Sequence, residues 1–194
     1  NPPKGVIVTY YVKNPDDKVT LSFKDKKGEV LREFSSLSEE EIEQRKKDKH
    51  LEVGIPAEEG FNRFVWDMRL PKVSKIDGSD LVADMSIPGP KVVPGSYQVS
   101  LSVNGKEYTE AFEIIRDPMA ESVKKKDLQA QFKLWQSITD KAEEAVGTIN
   151  KLRDLRGQLG AWAKRSGDSE LKQQAETLKE RVLELEKSLA MPDM

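Results

Sequence analysis

Few side chains in this 194-residue chain are equipped for chemistry. His50 is the only histidine and lies in a charged segment, so a histidine-based triad, a two-histidine metal site and a zinc-protease helix have no basis. There is no cysteine, which removes disulfides, thiolate metal sites and a cysteine nucleophile. No phosphate-binding or dinucleotide-binding glycine loop is present. Glycosidase chemistry needs two facing carboxylates, and Asp67, beside Trp66, is the candidate that stands out. At the end of an apolar stretch it reads instead as a carboxylate accepting a backbone or turn hydrogen bond. Asp77, Asp80 and Asp84 suggest calcium, but their spacing matches no EF-hand loop, so they read as an acid-rich surface loop. Trp135 and Trp162, with Tyr10 and Tyr11, could stack on sugars, although aromatics at helical spacing read first as core. Lys124-Lys125-Lys126 is basic, but Asp127 and the balanced sequence after it make no nucleic-acid footprint. The expectation is no catalytic, cofactor-binding or metal-ligating residue.

The elements around these residues change character once. Val6–Val12, the alternating Val19–Lys24 and Val30–Phe34 predict strands, with Gly28 supplying a positive φ in the loop Asp25-Lys-Lys-Gly28. Ser38 and Glu41 form a capping-box pattern at the head of a charged segment, 38–49, which reads as a short solvated helix. Glu41/Arg45 and Glu43/Lys47 have the spacing of favourable ion pairs on it. Leu51–Ile55 reads as a short edge strand. Gly60–Pro71 is the central strand, with Asn62, Phe64, Trp66 and Met68 on the core face and Phe61, Arg63, Val65, Asp67 and Arg69 opposite. Residues 72–87 form a long loop expected to cover a sheet edge. Pro94-Gly95 predicts a type II turn with Gly95 at positive φ. Tyr97–Val103 and Glu107–Ile115 then pair about Asn104-Gly105, a type I′ hairpin signal, with a bulge expected near Ala111 to absorb a change of phase. From Asp127, expected to cap a helix starting at Leu128, the apolar spacing becomes three and four: Phe132, Trp135, Ile138, Ala142, Ala145, Ile149, Leu152, Arg156, Leu159. After a turn at 165–169, Leu171, Ala175, Leu178, Val182, Leu185 and Leu189 form a coiled-coil-like seam, which predicts an antiparallel helical hairpin.

Hydrophobic residues make up 37% of the chain and charged residues 34%, with a formal net charge of −2, so composition argues neither for nucleic acid nor for an anionic membrane surface. No apolar run approaches the roughly 20 residues needed to span a bilayer. With Asn1-Pro-Pro at its start, the chain reads as either a processed chain or a piece cut from something longer, the piece being preferred.

Gly60-Phe-Asn-Arg-Phe-Val-Trp-Asp-Met-Arg, then Pro88-Gly-Pro-Lys-Val-Val-Pro-Gly-Ser-Tyr-Gln-Val-Ser-Leu-Ser-Val-Asn-Gly, then Arg116-Asp-Pro resemble the C-terminal region of bacterial sortilin-like (BNR-repeat) β-propeller proteins. Pro2–Tyr11 and Asp127–Phe132 are similar to the same region. The Trp-Asp then Pro-Gly-Tyr pattern also occurs in the Ig-like domain of flagellar hook-capping proteins. Such propeller proteins are often labelled glycosyl hydrolases, but no Asp-box repeat is present, so the resemblance supplies no catalytic residue. It implies an accessory module of an exported protein, periplasmic or secreted, with the propeller of the same polypeptide or another protein as partner. Together these readings predict an α+β chain. Residues 1–118 form an Ig- or fibronectin-III-like β-sandwich with the 38–49 insertion, and residues 119–194 an α-helical hairpin. The expected function is a non-catalytic structural or interaction module, with glycan binding as the alternative and the oligomeric state left open.

Overall fold

The computed structural model describes residues 4–47, 54–76, 87–120 and 122–190. Over these residues the chain is α+β, with six antiparallel strands in two sheets followed by a long C-terminal helical pair. In order the elements are β1 (Val6–Val12), β2 (Val19–Asp25), β3 (Val30–Ser35), α1 (Glu39–Lys47), β4 (Gly60–Trp66), β5 (Gly95–Val103), β6 (Lys106–Ile114), α2 (Lys125–Arg165) and α3 (Ser169–Ala190). The chain divides into two compact units. One is Asn1–Pro71 with Pro88–Gln136; the other is Lys72–Ile87 with Ser137–Met194.

In the first unit, β1 and β4 form one sheet and β3-β2-β5-β6 the other. Side chains from both sheets share one core. Phe23 of β2 stacks on Trp66 of β4 with ring centroids 4.4 Å apart, and Phe34 of β3 meets Phe64 of β4 at 4.7 Å. Trp66 is fully buried, and its indole N–H donates to the Arg69 carbonyl at 3.0 Å, so the largest core side chain leaves no orphan donor. Tyr10, Val12, Val19, Leu21, Ile55, Val92 and Tyr97 complete the buried set. The predicted core face of the central strand holds through Phe64 and Trp66, with Met68 half-buried. Met68 has φ +64°, so the extended strand ends at Trp66.

Several local expectations are met. Ser38 and Glu41 exchange both capping-box bonds: the Ser38 amide donates to the Glu41 carboxylate at 2.7 Å and the Glu41 amide to the Ser38 hydroxyl at 3.3 Å. Asn104 and Gly105 both have positive φ (+50° and +76°), as a type I′ turn requires, and Gly28 sits at +87°. Other expectations are corrected. Gly95 is not in the positive-φ region; it opens β5 as an ordinary strand residue. No bulge lies near Ala111, because β5 and β6 pair without a break from Gly95↔Ile114 to Val103↔Lys106. The even positions Tyr108, Phe112 and Ile114 already share one face, so no change of phase needs absorbing. The shift of register falls instead between Phe23 and Lys24 in the β2–β3 pair. Gly54 and Ile55 are not in a strand, although Ile55 is buried and its amide donates to the Ser35 carbonyl at 3.1 Å. His50, Leu51–Val53, Asp77, Asp80 and Asp84 lie outside the described residues, as do the cation side chains of the Glu41/Arg45 and Glu43/Lys47 pairs.

Helix α2 begins three residues earlier than expected. Asp127 lies inside its first turn and accepts a hydrogen bond from the Lys124 amide at 2.9 Å, so it satisfies a backbone donor at the helix entrance rather than preceding the helix. In the second unit, α2 and α3 are antiparallel. Arg153 pairs with Glu186, and a side chain at Gly160 would meet Lys179, so residues that face each other run in opposite directions. Residues 166–168 connect them, and Asp168 caps α3 by accepting from the Glu170 amide at 2.8 Å. The described ends of the 72–87 loop also belong to this unit. The Ser74 amide donates to the Glu143 carboxylate at 2.7 Å, and the Asn150 side chain donates to the Lys75 carbonyl at 3.1 Å.

Candidate functional site

The Asp67 carboxylate accepts from the Arg69 amide at 3.0 Å, the turn hydrogen bond expected of a strand-end carboxylate. Among the described residues no cluster of three or more His, Asp or Glu could hold a metal ion. Where ionisation is displaced, the cause is local. Lys24 beside Glu107 lowers that carboxyl, bonds from the Ser38 backbone and hydroxyl lower Glu41, and the pair Lys141–Glu144 raises the lysine and lowers the acid. Burial pushes the Tyr10 phenol up to about 12 and raises Tyr97, with the Asp25 charge adding to the latter. Both phenols donate to backbone carbonyls: Tyr10 to Pro56, and Tyr97 to Val93 at 2.5 Å.

What the first unit presents is an apolar surface on the outer face of the β1–β4 sheet. Antiparallel pairing sets Ile7 opposite Val65, Thr9 opposite Arg63 and Tyr11 opposite Phe61. The alternate residues Tyr10, Val12, Asn62, Phe64 and Trp66 point inward, so the period of two exports the other set. Phe61 is 83% exposed and Tyr11 56%, and their rings meet edge to face with centroids 5.3 Å apart at 77°. Phe61 is held out by the residue beside it. The buried Asn62 side chain accepts from the Glu58 amide at 3.0 Å and donates to the Glu58 and Gly60 carbonyls at 2.7 and 3.1 Å. That clamp fixes the turn through Gly60, whose φ is +102°. Sequence reasoning set Asn62 on the core face and Phe61 on the other, but did not see the clamp. An asparagine two residues after a glycine at a strand start was the available signal.

A second feature lies where the first three turns of α2 meet the segment Pro88–Pro94. A groove of about 330 Å³ is lined by Arg69, Val92, Pro94, Leu128, Phe132 and Trp135, among others. The Trp135 indole donates to the Pro88 carbonyl at 2.8 Å, and the Arg69 guanidinium donates to the Gly89 carbonyl at 2.9 Å. Leu128 and Phe132, on the apolar stripe at the head of α2, line this groove against the proline segment. Of the aromatics considered for sugar stacking, Tyr10 is buried, Trp135 is tied to the proline segment, and Tyr11 and Trp162 are exposed. No helix among the described residues is long and apolar enough to cross a membrane. No protein-family model, curated protein or solved structure matches the chain.

Proposed function

We propose that this chain is a non-catalytic interaction module, the C-terminal accessory region of an exported bacterial sortilin-like β-propeller protein, and that it braces the propeller through the outer face of β1–β4. The observation that carries the reading is the outward-facing set Ile7, Thr9 and Tyr11 opposite Val65, Arg63 and Phe61, with the exposed Tyr11–Phe61 pair at its Gly60 end. Two apolar rungs of the two-stranded sheet flank the polar rung Thr9–Arg63, and an exposed aromatic pair beside an arginine is the kind of composition enriched at interfaces. The first unit is proposed to be an immunoglobulin-like sandwich. In that fold B and E are neighbours in one sheet, and C, F and G in the other. β1 and β4 would take the B and E places, and β2, β5 and β6 the C, F and G places, with β3 beside β2. Tyr97, near the start of β5, sends its hydroxyl back four residues to the Val93 carbonyl, in the manner of a tyrosine corner. The resemblance in the Trp66 and Pro94-Gly95-Ser96-Tyr97 segments supports the propeller as partner and a periplasmic or secreted location.

Titration of this chain against the cognate propeller, with both folded, tests the reading. Binding weakened at least tenfold by Tyr11→Ser with Phe61→Ser is expected; no measurable affinity for the wild-type chain would end the bracing version. Glycan binding remains the second reading, favoured by the exposure of Tyr11 and Trp162. The near-perpendicular Tyr11 and Phe61 rings offer no flat platform for a sugar ring, and this ranks it second. Glycan-array binding lost on Trp162→Ala would reverse that ranking.

A further inference from the structure

From the second unit we infer a separate interaction surface, by which the helical pair docks on the same face of a second copy of this chain. α3 carries two apolar seams a short rotation apart. Ala175 and Val182, seven residues apart, lie on the side turned to α2, together with Lys179 and the buried Glu186. Leu171, Leu178 and Leu185, also seven apart, are 57%, 46% and 56% exposed. A helix in a lone antiparallel pair needs one seam, whereas a helix in a four-helix bundle packs against two neighbours.

α2 supplies the other half of the face. The facing pairs Arg153/Glu186 and Gly160/Lys179 set the register. It places Leu155 level with Leu185, and Trp162 level with Leu178. At 100° per residue, Leu155 and Trp162 fall on the same side of the pair as the α3 leucines. The opposite side holds a second groove, lined by Arg153, Ala161, Lys164, Glu176, Lys179 and Leu183 among others. Two apolar layers one heptad apart thus lie on one face, extended by Leu171 toward the turn and Leu189 toward the far end.

The occupant follows from the character of this face. Six large apolar residues, each between 41% and 63% exposed, make up this face, and with a polar rim they suit the roughly 800 Å² that each partner contributes to a standard interface. The face is built of matched layers on antiparallel helices, so a two-fold axis through it brings leucine and tryptophan layers onto one another without a second kind of surface. On α3 its border is Gln174, Arg181 and Ser188, and on α2 the corresponding positions are Lys151, Gln158 and Arg165.

Light scattering on the full chain from about 1 to 200 µM decides the matter. The expected result is a dimer of twice the 21.9 kDa chain mass, dissociating on dilution. Leu178→Glu should weaken it by on the order of a hundredfold with the helical circular-dichroism signal retained, because the two-fold axis buries two carboxylates in an apolar layer. Leu185→Gln is the milder variant should the first not fold, and it should raise the dissociation constant at least tenfold. Tyr11→Ser with Phe61→Ser should leave the mass unchanged. A wild-type monomer at about 200 µM overturns the inference, as does a dimer indifferent to both leucine variants. Wild-type monomers that bind phosphatidylcholine vesicles through Trp162 would give the face to lipid instead.

Discussion

Replacing Asn62 by alanine tests whether a single buried carboxamide holds the rim of the β1–β4 face. The side chain is 5% exposed and makes three hydrogen bonds, to the Glu58 amide and to the Glu58 and Gly60 carbonyls. Only one orientation of the amide satisfies all three, because both carbonyls need a donor and the Glu58 amide needs an acceptor. Alanine removes the three bonds and leaves three backbone groups at a buried strand end. At about 1 kcal/mol each, with some recovered by water entering the turn, the loss is about 2–3 kcal/mol. For a unit of this size that lowers the melting temperature by roughly 10–15 °C. Asn62→Asp separates the causes. Its carboxylate still accepts from the Glu58 amide but faces two carbonyl oxygens, so at pH 7 it should be no better than alanine. Protonation restores a donor, so the folded-state pKa of the introduced acid lies above the unfolded value of about 3.9. Its contribution is therefore present below that value and lost as pH rises through the folded pKa. Urea unfolding followed by the fluorescence of the buried Trp66, at pH 7 and near pH 4, reads both effects. An alanine variant within about 0.5 kcal/mol of wild type, or an aspartate variant fully stable at pH 7, would refute the reasoning.

Gly89→Ala should cost about 3 kcal/mol, because the added carbon would lie 2.1 Å from the Leu70 carbonyl oxygen and 2.3 Å from that of Pro71. Forcing those segments apart strains the Leu70–Pro90 and Val92–Met68 backbone bonds, whereas Gly95→Ala meets only the Tyr97 ring edge at 4.0 Å and should be nearly neutral; paired urea midpoints check this. Tyr10, held neutral to about pH 12 by burial, ionises first in the unfolded chain near pH 10. The stability it contributes is complete below pH 10 and lost as pH rises toward 12, so Tyr10→Phe should flatten the fall in unfolding free energy across that window by roughly 1–2 kcal/mol. Tyr97→Phe removes the bond to the Val93 carbonyl and should cost about 1–2 kcal/mol by the same urea assay, with the fold retained. In the second unit, Glu186 lies between Arg153 at 2.6 Å and Arg156 at 3.0 Å. Both arginines keep some solvent, so Glu186→Ala should cost only about 1–2 kcal/mol, and Glu186→Leu less, in thermal melts of the helical signal.

The strand and helix content was legible because it is local. Val19, Leu21 and Phe23 alternate, Ser38 stands three residues before Glu41, and Asn104-Gly105 admits little but a tight hairpin; each signal lies within one element or turn. The apolar outer face was only half legible. Phe61 could be set opposite Phe64 and Trp66 by parity, and Tyr11 was visible as an aromatic in a strand. That the two form one patch depends on β1 pairing with β4 in a register set by residues fifty positions apart. No local pattern encodes that pairing. Gly95 shows the converse error: Pro-Gly is a strong turn signal, yet the Tyr97 side chain bonding back to Val93 and the unbroken pairing with β6 take Gly95 into the strand.

The leucine seam of α3 shows where periodicity stops. Leu171, Ala175, Leu178, Val182, Leu185 and Leu189 read as one stripe of a helical hairpin. In the fold only its Ala175 and Val182 side turns inward, and the large leucines stay exposed. Glu186 supplies the physical reason. It is 6% exposed between Arg153 and Arg156, and an ion pair at that position draws α3 round until the carboxylate, not Leu185, meets α2. A spacing of three and four defines the width of an apolar stripe but not the azimuth that meets a neighbour. Two arginines at 153 and 156, opposite a lone glutamate on the stripe's flank, were the signal for that azimuth, and they were legible only once the antiparallel register was known. The same rotation that buries the ion pair exposes Leu171, Leu178 and Leu185. The stability of the helical pair and its capacity to take a second copy are therefore set by one choice of face. A Glu186→Leu variant should loosen that choice and weaken the dimer while sparing the helices.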